Sequence, residues 1–361
     1  MFIIILIIIF VFILCNILLA VSLLFLFRNK NSDSNITSKI SVVIALKNEE
    51  MNIPSLVKSI SEQDYPKEDY EVIFVDDCST DNTLGILNNI TKEHKNFIVT
   101  NSSNKIFPGK KGALSIGIEK TNNPFILITD ADCILEKQWL KSFAKKFNEG
   151  FDFVFGVVNI FQDGLNANRI ACFENLRTSI LTFGLAGIGL PYSSGGASFG
   201  FKKKSFEKIG GYKNTTETLS GDDDLLIREA VKNKMKIGIV TNIQSFVHTT
   251  TPDNLSDYFK QKTRHTTTAN YYLLRHKIIL AFWHLLNLFF IFSPFLLFIS
   301  LNFLLLFITK IIFDVIIILI FQRKLGYKFK ILQIIYLQVE YELFLIVHYL
   351  AATFKKKIVW K

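Results

Sequence analysis

The sequence predicts an α/β domain built on a mostly parallel sheet and flanked by transmembrane helices. Three observations lead there. From Ser41 to Cys133, short runs rich in Val, Ile and Phe alternate with segments whose apolar residues recur at helical spacing, the pattern of right-handed βαβ units. Met1 to Phe27 and Ile278 to Phe354 are far more apolar than the middle of the chain, which implies one soluble domain between membrane segments rather than two soluble domains. The strand pattern at Phe125-Ile-Leu-Ile-Thr-Asp-Ala-Asp-Cys133 ends in two carboxylates, Asp130 and Asp132, at the end of a strand where open α/β sheets bind their ligands.

Composition narrows the function. The formal net charge is +10, and the Lys and Arg residues gather beside apolar runs, so anionic lipid headgroups are the expected partner. Zinc-finger spacing is missing, which argues against nucleic acid. Cys15, Cys78, Cys133 and Cys172 form no C-x-x-C pair, which fits a reducing compartment.

Taken in order, Met1 to Phe27 is long enough to span a bilayer as a helix and lacks the basic start of a signal peptide. Arg28 and Lys30 follow and place the next segment on the cytoplasmic side. Residues 28–40 are a polar linker. Ser41–Leu46 is the first strand, Ile53–Ser61 a helix, Tyr70–Val75 the second strand closed by Asp76-Asp77-Cys78-Ser79-Thr80-Asp81, and a helix runs on to Asn89. Phe97–Thr100 is a short strand, Gly109-Lys-Lys-Gly-Ala-Leu114 opens a helix, and Phe125–Cys133 is the next strand. Beyond it, Phe153–Val158 reads as a strand, Ala171–Gly187 as a helix and Pro191–Gly200 as a small-residue loop. Residues 41–256 are read as the soluble α/β domain. Asp257–Lys277, with Tyr258, Phe259, Tyr271 and Tyr272 among Lys260, Lys262, Arg264 and Arg275, reads as an amphipathic interfacial helix. Residues 278–354 hold two or three spans, the last interrupted by Glu340, Glu342 and His348, and 355–361 form a basic tail. Lys310 and Asp314 are spaced to pair across one helical turn. Three full spans would put Lys355–Lys357 outside, against the positive-inside rule, so one segment lies in the interface or re-enters, or the rule fails there.

Two acidic groups carry the chemistry. Asp130 and Asp132 suit a hard divalent cation, which takes oxygen ligands; they also suit a polar turn. Asp222, Asp223 and Asp224 open a helix. Capping explains one of them, and the mutual repulsion of three calls for an offsetting role.

With Asn48-Glu49-Glu50 after the first strand, Asp76-Asp77 with Ser79, Gly109-Lys110 with Ala113-Leu114, Asp130-Ala-Asp132, Asp222-Asp223 with Leu226, and then Gln261-Lys-Thr-Arg264, the chain resembles a family 2 glycosyltransferase of GT-A fold. Its flanking spans resemble the membrane-bound branch that includes cellulose synthases, hyaluronan synthases and ceramide glucosyltransferases. The resemblance covers about Ser41 to His265 and implies a nucleotide-diphosphate sugar donor, most simply a UDP-sugar. By that resemblance Ala45, Lys47 and Glu49 lie near the nucleotide, one of Asp76 or Asp77 bonds the base, and Lys110 and Asp130 border the donor. Asp132, with Asp130, holds Mg²⁺ or Mn²⁺. Asp223 is the general base, or Asp222 if the motif slips by one residue. Gln261, Arg264 and His265 face acceptor and diphosphate. Processive synthases carry Trp at the position of His265, and an imidazole offers less stacking area; single transfer is therefore expected over polymer synthesis. The expected activity is metal-dependent, inverting transfer to a lipid or lipid-linked acceptor. The protein is expected in a plasma or inner membrane of a bacterium, its catalytic domain in the cytoplasm. The rivals are a processive polysaccharide synthase, a non-catalytic scaffold keeping the fold, and a transporter. The first needs a channel that four spans poorly supply, the second should have lost its carboxylates, and the third lacks repeats.

Overall fold

A computed structural model describes residues 1–28, 38–252 and 254–354. Most of the expected linker, with Lys30, and the basic tail at 355–361 lie outside the described residues. The chain forms two compact units, one of residues 38–161 and 193–251, the other of Met1–Arg28, Gln162–Tyr192 and Pro252–Phe354.

The first unit is the α/β domain. Its strands are β1 (Ile40–Leu46), β2 (Tyr70–Asp76), β3 (Phe97–Asn101), β4 (Phe125–Ile128), β5 (Ile134–Leu135), β6 (Phe153–Gly156), β7 (Val158–Ile160), β8 (Phe199–Lys202), β9 (Ile237–Val240) and β10 (Val247–Thr249). Seven make one sheet in the order β3-β2-β1-β4-β8-β6-β9, and β5-β10-β7 make a small second sheet. β3, β2, β1 and β4 are mutually parallel, as are β6 and β9; β8 runs antiparallel to both its neighbours. All seven residues of β1 are buried, as a strand covered on both faces requires. Helix Trp139–Asn148 buries Trp139, Leu140, Phe143, Ala144 and Phe147, one apolar stripe at helical spacing. In helix Lys110–Glu119 a Cβ on Gly117 would come within 2.4 Å of Val43 and 2.8 Å of Val75, so only glycine lets that helix lie flat on β1 and β2.

The chain runs from β1 outward to β2 and β3, then returns to β4 on the other side of β1. Such a reversal opens a crevice at the carboxyl ends of the two central strands. The segments leaving those ends are Lys47–Glu50 and Thr129–Asp132.

Three expectations change here. The strand expected to Cys133 stops at Ile128, because Thr129–Asp132 turn away and β5 joins the small sheet. The strand expected at Phe153–Val158 divides at Val157 into β6 and β7, which serve different sheets. The loop expected to Gly200 ends earlier, since Phe199–Lys202 is β8, wedged between β4 and β6.

The second unit holds four helices long and apolar enough to cross a membrane: Phe2–Leu26, Leu274–Leu296, Phe303–Phe321 and Ile331–Thr353. Helix Asn166–Gly187, buried along most of its length, belongs with them. The continuous helix expected at Asp257–Lys277 breaks: Leu255–Thr266 is α-helical, Thr267–Tyr271 is a tighter turn, and a new helix starts at Leu274. Three consecutive threonines, Thr266 to Thr268, stand at the break, and Thr267 and Thr268 hydroxyls bond back to the carbonyls of Arg264 and His265, a local alternative to helix continuation. The buried charges Lys310, Asp314 and Glu342 in the apolar helices face partners. Lys310 Nζ reaches Asp314 at 2.8 Å, Glu342 at 3.3 Å and Asn287 at 2.7 Å, and Arg177 reaches Asp314 at 3.2 Å. Each removes a charge from contact with hydrocarbon.

Candidate active site

The site is built from several loops of the α/β unit. After β1, Asn48 adopts φ 57°, a left-handed conformation that asparagine tolerates. Its side chain accepts from Thr80 N at 2.8 Å, and its own N–H donates to Ser79 at 3.0 Å. Glu49 N donates to Thr83 at 2.8 Å and Glu50 N to Asp81 at 3.2 Å. The loop after β1 is thus laced to the loop after β2. Ala45 is buried in β1, while Lys47 and Glu49 are half-buried just past its end.

Asp76 and Asp77 are both buried at the end of β2. They are not equivalent. Asp77 accepts from Ser102 and from Lys105, whereas Asp76 receives the Ser79 N–H at 3.4 Å.

Lys110 is the junction. It starts helix Lys110–Glu119, and its Nζ lies 2.6 Å from Asp130 and 2.8 Å from Asp222. Two acids more than ninety positions apart in the chain meet on one ammonium group. The side chains of Lys110 and Asp222 are 16% and 15% exposed, that of Asp130 37%, so the Asp222 pair is well screened from water and the Asp130 pair opens to it. Beside them, Asp132 accepts from Thr249 at 3.2 Å. Asp223 accepts from Ser194 at 3.0 Å, and Asp224 accepts from Ser193 at 2.7 Å and from the Ser194 N–H at 3.1 Å. A Cβ on Gly196 would lie 3.2 Å from the Asp223 carboxylate, so the small-residue loop makes room for that acid. Asp223 occupies the N-cap position of helix Asp224–Lys232 but makes no side-chain capping bond; capping does not account for it.

These contacts separate the acids electrostatically. Burial alone would lower the Lys110 pKa, but Asp130 and Asp222 together hold it well above the usual lysine value. Burial pushes Asp222 up, and Lys110 outweighs it, leaving that carboxyl below the usual range. Asp223 goes the other way: burial first, then Asp224 and Asp222, push it well above. Burial and then Asp130 raise Asp132, and burial raises Glu49, with smaller contributions from Asp132 and Asp130. Neighbouring carboxylates driven apart in this way are how one site holds an ionised group and a proton acceptor together.

Among the described residues, no three His, Cys, Asp or Glu side chains converge as a complete metal cage. The chain supplies two carboxylates, Asp130 and Asp132. That donor set fits Mg²⁺ or Mn²⁺, which bind through one or two carboxylates and complete their shells with phosphate and water.

Gln261, Arg264 and His265 belong to helix Leu255–Thr266 of the other unit. Within it, Arg264 and His265 side chains lie 3.3 Å apart. That helix is anchored by Glu174, which accepts from Tyr258 at 2.7 Å and pairs with Lys262 at 3.1 Å.

Ser193, Ser194, Gly196, Thr249 and Lys105 were not expected at the site. Small polar residues in loops carry no periodic signal, and Lys105 reads as an ordinary surface lysine.

Residues 41–210 match the family described as glycosyl transferase family 2. The chain is 33% identical to the poly(ribitol-phosphate) beta-N-acetylglucosaminyltransferase TarS of Staphylococcus aureus, over 31% of this chain and 19% of the relative. It is 28% identical to a beta-monoglucosyldiacylglycerol synthase of Synechocystis, over 56% of this chain and 42% of the relative. The matched stretches span less than half the length of these relatives. Among solved structures, the mannosyltransferase PcManGT of Pyrobaculum calidifontis, in complex with GDP-Man and Mn²⁺, aligns with a TM-score of 0.54 at 17% identity, covering 97% of this chain and 99% of that one. That likeness shows the fold, GT-A.

Asp223 gives a test that needs no substrate. A carboxyl whose folded pKa is raised costs stability above its ordinary range, fully so above the raised value; the cost shrinks as pH falls below the raised value and vanishes near the ordinary carboxylate range. Asp223→Asn removes the charge and keeps the shape. Its thermal midpoint in detergent is expected above that of the wild type at pH 7, with the difference shrinking towards pH 4. An unchanged or lower midpoint at pH 7 would contradict the assigned shift.

Proposed function

From the match of residues 41–210 to glycosyl transferase family 2, we propose that the chain is a membrane-bound, inverting enzyme that moves one sugar from a nucleotide-diphosphate sugar to a lipid or lipid-linked acceptor. The observation that carries the reading is the meeting of Asp130 and Asp222 on Lys110, which joins a diphosphate-side acid pair to an acceptor-side acid pair.

In this reading the nucleotide of a UDP-sugar lies along Ala45, Lys47 and Glu49, and Asp76 or Asp77 bonds the base. Lys110 borders the diphosphate. Asp132 and Asp130 would hold Mg²⁺ or Mn²⁺, which when bound neutralises the departing diphosphate as a Lewis acid. Asp223 takes the proton of the acceptor hydroxyl, which is a poor nucleophile until a base removes it. The raised Asp223 pKa favours that role; Asp222, ionised against Lys110, holds the lysine instead. Gln261, Arg264 and His265 are assigned to acceptor and diphosphate, and His265 in place of Trp supports a single transfer. A lipid acceptor is supported by the four apolar helices and by the diacylglycerol product in the name of the Synechocystis relative.

The direct test is transfer by the purified protein from a panel of nucleotide sugars to total membrane lipid, read by mass spectrometry. One added sugar per lipid is expected, abolished by EDTA and by Asp132→Asn, and reduced by about two to four orders of magnitude by Asp223→Asn. A polymer ladder, or normal turnover by Asp132→Asn in metal-stripped buffer, would overturn the reading.

The catalytic unit is placed in the cytoplasm, on the strength of Arg28 after the first apolar helix and the free cysteines. Cys78 is exposed and serves as a native reporter. An impermeant maleimide is expected to leave it unlabelled in intact cells and to label it after permeabilisation; labelling before permeabilisation would reverse the topology.

A further inference from the structure

Next to the junction lysine stands a second one with a different task. Lys111 is 2% exposed. Its Nζ donates to two backbone carbonyls, those of Thr215 and of Thr218, the latter at 2.9 Å. Those carbonyls belong to the segment that leads, four residues later, into Asp222 and Asp223. From the far side Arg228 donates to the Asn214 carbonyl at 2.5 Å and pairs with Glu217 at 2.8 Å. The segment is thus fastened by two buried cations at 214, 215, 217 and 218.

Local preference opposes this arrangement. Lys110 and Lys111 are the first two residues of their helix, and that helix has no acidic residue in its first turn. Cations there face the positive end of the helix dipole. For Lys110 the acids Asp130 and Asp222 offset the cost. For Lys111 the direct partners are neutral carbonyls, and its ammonium is nevertheless buried. A local rule broken in this way points to function.

We infer that Lys111 is a positioning residue, a clamp that holds the 211–222 segment so that Asp222 and Asp223 are delivered to the site. The groups acting on it are Asp222, Glu217 and Asp223, which favour its charge, and Arg228, which opposes it. Burial outweighs them and lowers its pKa to about 8, so the clamp is charged at neutral pH and loses its charge in mildly alkaline solution. A neutral amine still donates, but more weakly than an ammonium. The 211–222 segment is therefore expected to loosen above pH 8 while the core stays intact.

The inference rests on the glycosyltransferase reading only for its consequence; the clamp itself is tested without substrate. Hydrogen exchange of the full chain in detergent is measured at pH 7 and pH 9 and corrected for intrinsic rates. In the wild type, protection of 211–222 is expected to fall roughly fivefold, on the scale of losing charge assistance, while helix Asp224–Lys232 holds. Lys111→Met is expected to lose about tenfold or more at both pH values, since two buried carbonyls lose their donor. Lys111→Arg, whose guanidinium stays charged, should show no alkaline loss. Where transfer can be assayed, the alkaline limb of kcat should follow the same pattern, with KM for donor little changed. Equal wild-type protection at both pH values, or a Lys111→Met segment as protected as wild type, would overturn the clamp. If Lys111→Met does not fold, the wild-type pH comparison decides alone.

Discussion

The ion pairs of one ammonium group, Lys110 Nζ, with Asp130 and Asp222 tie the loops of the candidate site together. A lysine so enclosed needs counter-charges, because removing them leaves a desolvated ion uncompensated. Conversely, Asp222 stays ionised beside two other aspartates only because the lysine is there. Burial, then Asp224 and this ionised Asp222, raise Asp223, the carboxyl we propose as the proton acceptor. Lys110 thus sets Asp222 below the usual range, while burial is the first cause of the rise at Asp223 and Asp132.

The sheet puts that lysine in place. Parallel strands β1 and β4 end side by side at the reversal in strand order, so the loops after them share a crevice. Gly117 allows the helix that begins with Lys110 to lie against Val43 and Val75, which fixes the height of its first turn. β8 runs antiparallel between β4 and β6 and returns the chain from the serine–glycine loop that cradles Asp223. Asp130 and Asp132 follow β4 in the parallel half of the sheet, and Asp223 faces the loop that leads into β8 in its mixed half.

Much of this was legible in the sequence. The βαβ alternation, the four apolar helices and the Asp130–Asp132 pair all rest on periodicity or on runs, which a single chain displays openly. The Lys310–Asp314 pair was legible because helical spacing alone brings it together. What stayed hidden depends on long-range approach. β8 is four residues with Gly200 inside and lysines after it, too short and too mixed for a period-2 signal. The division of Phe153–Val158 between two sheets has no local cause. The contact of Lys110 with Asp222 spans more than a hundred positions, and no pattern at either end announces it. Lys111 read as the duller neighbour of a motif residue, yet it is the more buried of the two.

The shared dependence of Asp130 and Asp222 on Lys110 is measurable directly by a double-mutant cycle on the full chain in detergent. Asp130→Asn, Asp222→Asn and the double variant are unfolded in urea at pH 7. Either single variant leaves Lys110 one carboxylate; the double leaves it none. The double variant is therefore expected to lose more stability than the sum of the singles, by about 0.5 kcal/mol or more. Additivity within about 0.3 kcal/mol would mean that the two acids do not share the lysine, and the site would not be one network.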